Sequence, residues 1–348
     1  MLNIKDLKIR NKLLLLVALP LAALVYFAGQ AIYERQAMQS ELEKLYSLSE
    51  VGVLIGNYVH ESQKERGMTA GYLASKGKKF ADKLPQQRQL LDRQVEAFLA
   101  RLSVMDVSVY GKAFEQKVAA MKARLAQLSA VRDRVTSQSI TLKDALGYYT
   151  GTNANSLDLI AYMMRLSPNA DVILNVGSYV NFLQSKERAG IERAVITGTF
   201  AADHFAPGMY EKFIKLVNAQ NNYMSVFKTM ATPEQIALLE QKLQDQSVKK
   251  VNDMRQVALS KASEGGFGID PAHWFGTITE KINVLKEIEG RLSQDVKSNA
   301  KSLMNQAGDD ILVYSGQVAG ALLVALLVAW RILNSIQTPI TALHKRRK

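Results

Sequence analysis

Glu65–Ala74 reads ERGMTAGYLA, and 127 residues later Glu192–Ala201 reads ERAVITGTFA. Each copy sets an arginine among small residues: Gly67, Ala70 and Gly71 beside Arg66, and Ala189, Gly190 and Ala194 around Arg193. Helical stepping decides how both are read. Ile55, Val59, Ser62, Arg66, Thr69 and Leu73 recur at intervals of four and three, which lays them on one face of an α-helix. Phe182, Lys186, Ala189, Arg193, Ile196 and Phe200 do the same. In each stripe the guanidinium interrupts an apolar face, so both arginines are expected to point into a helix bundle.

Outward from these stretches the pattern stays helical. Apolar residues recur at three- and four-residue steps, and no sustained run of alternating β-branched residues offers a sheet. The fold class expected is all-α, with long antiparallel helices. Breaks at Pro85, Pro168, Pro207, Pro233, Pro271 and the EGGFG stretch at Glu264–Gly268 predict helices near 31–76, 86–103, 108–138, 141–165, 170–202, 208–230, 233–262 and 272–332. Thr232-Pro233-Glu234-Gln235 reads as a helix entry, with Thr as N-cap and Gln closing a capping box.

Two uncharged apolar runs bracket this region: Leu13–Gly29 and Ile311–Trp330. About 20 apolar residues at 1.5 Å rise cross a bilayer core. Lys5, Lys8, Arg10 and Lys12 precede the first run, and Arg331, Lys345, Arg346, Arg347 and Lys348 follow the second. The positive-inside rule therefore predicts a two-pass inner-membrane protein: a cytoplasmic N-terminus at 1–12, spans at 13–30 and 311–330, a periplasmic domain at 31–310, and a cytoplasmic segment at 331–348. A cleaved signal peptide is the competing reading of 1–29, although its apolar run exceeds the usual h-region.

Charge and composition exclude several classes. The two membrane flanks account for most of the formal net charge of +12, so the basic balance gives no nucleic-acid footprint. No cysteine is present, so the outer domain must be held by packing without disulfides. His60, His204, His273 and His344 lack metal-ligand spacing, and no catalytic motif stands in a usable context. No enzyme activity, metal or cofactor is expected.

A guanidinium facing a bundle interior costs several kcal/mol unless something anionic matches it. Two readings stay open. A carboxylate from a neighbouring helix can supply the match, with Glu65, Glu192, Asp158 and Asp171 as candidates. Alternatively both arginines converge on a small planar anion, whose oxygens fit the guanidinium fork. Ser62, Gly67, Thr69, Ala70, Ala189, Tyr149 and Asn153 are candidate pocket-lining residues for the second reading. A membrane-tethered adaptor for a protein partner, or a sensor of a larger organic anion, would be the alternatives.

The runs ESQKERGMTAGYLASKGKKFADKLPQQRQLLD, SKERAGIERAVITGTFAADHFAPGMYEKFIKLVNAQNNYMSVF and HWFGTITEKINVLKEIEGRLSQDV resemble the nitrate- and nitrite-sensing (NIT) domain of bacterial chemoreceptors and other sensors. The resemblance implies two stacked four-helix bundles, with nitrate or nitrite held by arginines of the two signature segments. It makes Arg66 in QKERG and Arg193 in IERAV the ligand-binding candidates, and Arg188 in SKERA the reserve. Arg188 and Arg193 lie about 140° apart on a helix, so one small ligand is not expected to meet both equally. Trp330-Arg331-Ile332 leading into SIQTPITAL resembles the start of a HAMP linker, which implies a homodimeric receptor whose cytoplasmic signalling partners act through an output domain missing from this sequence.

Overall fold

The structure is a computed structural model that describes residues 9–166 and 169–346. The flanking cations Lys5, Lys8, Arg347 and Lys348, and the expected break at Pro168, lie outside the described residues. The described chain is helical with no strand: α1 (Ile9–Ala74), α2 (Lys83–Ser103), α3 (Lys112–Ala126), α4 (Leu128–Thr136), α5 (Leu142–Met163), α6 (Ala170–Ala202), α7 (Met209–Met230), α8 (Pro233–Lys242), α9 (Gln246–Ser260) and α10 (Pro271–Arg346).

Local chemistry sets most of these boundaries. Thr141 and Asn169 cap α5 and α6 by accepting from the backbone N–H of Asp144 and Val172. Thr232 and Gln235 close the predicted capping box of α8, with Pro233 in its first turn. Four expectations are corrected. Pro85 does not separate helices, because α2 begins at Lys83 and places the proline in the first turn, where its missing N–H is harmless. The segment 108–138 is not one helix: a 3₁₀ turn at Val107–Tyr110 precedes α3, and Gln127 interrupts α3 and α4. Likewise 233–262 divides into α8 and α9 between Lys242 and Gln246. Finally, α1 does not start near 31 and α10 does not stop at 332, since neither place carries a breaker.

Two compact units are present. The larger, Leu45–Ala300, holds two four-helix groups. The inner part of α1, α2, α3–α4 and α5 form one, with Leu84, Val135, Ile140 and Ala145 in its core. The second combines α6, α7, α8–α9 and α10 around Ile196, Phe200, Phe213, Val251 and Trp274. The two arginine stripes run as predicted. Ile55, Val59, Ser62, Thr69 and Arg66 on α1 are buried, as are Phe182, Lys186, Ala189, Arg193, Ile196 and Phe200 on α6.

The smaller unit joins the chain ends up to Lys44 and from Lys301. Both of its helical segments contain an apolar stretch long enough to cross a membrane, and its leucines, valines and aromatics face outward, among them Leu16, Leu19, Phe27, Leu323 and Trp330. Arg35 lies over the ring of Tyr314, 3.9 Å from its centroid, tying α1 to α10 within this unit.

Candidate functional site

Arg66 and Arg193 face one another across the α1–α6 contact, and each reaches over a gap the other helix leaves. A Cβ at Gly190 would stand 2.8 Å from Arg66 Nη2, and one at Gly67 would stand 2.9 Å from Arg193 Nη2. Any larger residue at either position displaces a guanidinium. Both arginines are 2% exposed, so their charges are answered by protein groups or by a ligand, not by bulk water.

The offset of 127 residues is carried into three dimensions. Arg66 Nη1 donates to Thr150 Oγ1 on α5 at 3.1 Å, and Arg193 Nη1 donates to Thr279 Oγ1 on α10 at 2.9 Å. Glu65 takes a two-toothed bond from Arg132, and Glu192 takes the same from Arg255. Despite its burial, Arg255 holds the Glu192 carboxyl below the usual carboxylate range. These two glutamates, expected as partners for the stripe arginines, are therefore committed elsewhere. Asp158 and Asp171 are exposed.

The symmetry fails at one pair of positions. Arg66 is matched by Glu187, with Nη1 to Oε1 at 2.5 Å and Nη2 to Oε2 at 3.3 Å. The residue 127 positions before Glu187 is His60. Burial, and then the charges of Lys186, Lys286, Lys64 and Arg193, push His60 down to about 2, so it is neutral and offers Arg193 no counter-charge. Arg193 instead donates from Nη2 to the backbone oxygen of Gln63 at 3.0 Å and lies 4.9 Å from the centroid of Phe275. Burial, followed by the nearby Arg66, pulls it down to about 10. Two cations thus share one buried carboxylate, which leaves an excess of one positive charge.

Gln63 bridges the pair, since its carbonyl holds Arg193 while its amide Nε2 donates to Glu187 Oε2 at 2.6 Å. Its own Oε1, Asn153 Oδ1, His60 Nδ1 and Arg193 Nε are buried polar atoms without a protein partner. Native interiors leave few such atoms unless a ligand, ion or water meets them. Arg193 Nε is the charged donor among them, the kind of group an oxyanion needs.

The structure brings together some of the sequence-predicted residues and not others. Asn153 joins Glu187 and Gly67 gives Arg193 its seat, whereas Ser62 and Thr69 lie beside Tyr58 and Tyr149. Ala189 packs in the α6 core, Ala70 lines a neighbouring cavity, and Tyr149 donates to Glu65 at 2.7 Å, one shell away. Arg188 points elsewhere, to the Gln184 side chain and over the Tyr223 ring at 4.8 Å. Sequence reasoning missed Glu187, Gln63, Thr150, Thr279 and Phe275. Only the 127-residue offset, applied to every polar residue near the signatures, could have singled out the Glu187–His60 inequality.

The bundle thus buries two arginines from repeated signatures against one carboxylate. The family described as nitrate and nitrite sensing matches residues 57–297, and the chain belongs to that family. It is 25% identical over 272 residues to the nitrate regulatory protein of Klebsiella oxytoca, an alignment covering 77% of this chain and 68% of that protein. Its fold is similar to the solved structure of the NasR transcription antiterminator, with a TM-score of 0.73 and 23% identity, covering 93% of this chain and 86% of the other.

Proposed function

We propose that this chain is a transmembrane receptor whose outer helical domain binds nitrate or nitrite between Arg66 and Arg193 and passes a change of helix packing inward. The observation that carries the reading is the single uncompensated charge: Arg66, Glu187 and Arg193 sum to one buried positive charge beside a neutral His60. A monoanion neutralises it, whereas a dianion would overshoot. Arg193 Nε, without a protein partner, supplies a charged donor for its oxygens.

The site touches four helices. Arg66 and Gln63 come from α1, Thr150 and Asn153 from α5, Glu187 and Arg193 from α6, and Thr279 and Phe275 from α10. Without the anion, Arg193 is a buried cation that loosens this junction; with it, the junction is drawn together. The ligand shifts the equilibrium only by its difference in affinity between the two packings. Both α1 and α10 continue into the apolar spans, which supports a two-pass receptor with the sensor domain in the periplasm. A homodimer of such chains, acting on cytoplasmic partners, completes the proposal. Binding requires no chemistry on the ligand, and neither a cofactor nor nucleic acid enters it.

Titration of the full chain in detergent micelles tests the site. Nitrate at 100 times its dissociation constant should add about 2.7 kcal/mol of stability. Arg193→Gln should abolish that gain without lowering the ligand-free melting temperature, because it removes the uncompensated cation. Normal nitrate affinity in Arg193→Gln sinks the assignment. Arg66→Ala is the poorer test, since it strands Glu187 without its partner.

A further inference from the structure

Beside Arg193, and separate from its polar contacts, α1, α5, α6, α10 and the loop after α1 line an open cleft of about 500 Å³. It exists because facing helices present residues without side chains: a Cβ at Gly198 of α6 or Gly276 of α10 would meet nothing within 4 Å. Phe80 closes one side, its ring seated on Gly71 and in contact with that of Phe275, the two centroids 5.6 Å apart. Phe80 holds this position with a left-handed φ of 62°, which an aromatic residue rarely adopts unless packing fixes it.

The walls are mostly apolar, so nitrate would neither fill the space nor find donors in it. Yet the cavity is electropositive. Lys79 lines its exposed edge, and Arg193 lies directly behind the wall formed by Gly67 and Phe275. A site with apolar walls, two phenyl faces and a cation at the rim suits a ligand with an apolar body and one negative end.

We infer that this cleft is a second ligand site, which takes an amphipathic monocarboxylate with its ring or acyl chain against the Phe80–Phe275 pair, in the space left by Gly198 and Gly276, and its carboxylate at Lys79. The inference does not depend on nitrate binding at Arg193. The two sites share the Gly67–Phe275 wall, so occupancy of one changes affinity at the other, and by linkage the effect is mutual.

Isothermal titration of the full chain in detergent micelles tests this with phenylacetate, the neutral phenylacetamide, and nitrate. Phenylacetate should bind saturably, and at least about tenfold more tightly than the amide. A Cβ at Gly198 or Gly276 meets nothing within 4 Å, so Gly198→Leu and Gly276→Leu, which grow into the cleft, should each weaken phenylacetate at least about tenfold while nitrate binding and melting temperature are kept. Lys79→Ala should remove the preference for acid over amide. Absence of saturable binding at millimolar phenylacetate overturns the inference, as do leucine variants that bind like the parent. Equal loss of phenylacetate and nitrate in Arg193→Gln also overturns it, by placing the carboxylate at the anion site.

Discussion

His60 decides the charge of the anion site, because it stands where the other half of the molecule has a carboxylate. Replacing it by glutamate offers Arg193 the partner that Glu187 gives Arg66. We expect His60→Glu to raise the melting temperature of the ligand-free protein and to weaken nitrate at least about tenfold, a loss of about 1.4 kcal/mol or more. Unchanged nitrate affinity would show that the excess charge is not what binds. A second buried cation behaves differently. Lys281, beside Glu192 and Arg255, is pushed down by burial to about 8, while the unfolded chain keeps the ordinary 10.5. Between those values the unfolded state holds more protons, so stability rises with pH from about 8 to 10.5. Lys281→Met should flatten that rise and stabilise the protein at pH 7 by up to about 3 kcal/mol, measurable by denaturant unfolding across the pH range. At this scale, the inward direction of Arg66 and Arg193 was legible from spacing alone, as was the divergence of Arg188. The partner Glu187 was not, since which carboxylate meets an arginine depends on how helices pair, and pairing leaves no trace in periodicity.

Among the elements, α1 and α6 hold the two buried arginines because they approach closely at glycine. The reciprocal seats of Arg66 on Gly190 and Arg193 on Gly67 are fixed by the missing Cβ atoms. Alanine has higher helix propensity than glycine by about 1 kcal/mol, so Gly67→Ala and Gly190→Ala would strengthen isolated helices. Here each should instead dislodge a guanidinium. We expect both to preserve helical content by circular dichroism yet weaken nitrate severalfold; intact binding in either would mean the guanidiniums sit elsewhere in solution. Element boundaries were readable where proline, glycine or a capping residue marks them, as at Thr141, Asn169 and Thr232. The interruption at Gln127 escaped because an ordinary helix-forming residue occupies it, and the one between α8 and α9 because its only mark is Asp245, which caps α9 by accepting from the backbone N–H of Ser247. The cleft beside Phe80 and Phe275 escaped too, because a stripe of small residues reads equally as tight packing or as open space.

Over the whole molecule, α1 and α10 each hold a stretch long and apolar enough to cross a membrane, and the outward-facing leucines and aromatics of both stretches are compatible with lipid contact. Because the chain has no cysteine, its topology can be mapped with introduced ones. Ser103→Cys and Thr229→Cys should react with a membrane-impermeant maleimide on intact spheroplasts, and Ser335→Cys only after lysis. Labelling of Ser335→Cys before lysis would reverse or remove the two-pass arrangement. The Glu187–His60 inequality has its own consequence at this scale. On the proposed reading only Arg193 lacks a carboxylate, so one nitrate per chain is expected there, apart from any ligand of the cleft. That guest would also be off-centre: the unmatched arginine leans on Thr279 and Phe275 of α10, whereas the matched one leans on Thr150 of α5. Loading would then be lopsided from the outset, and α10 would feel it first.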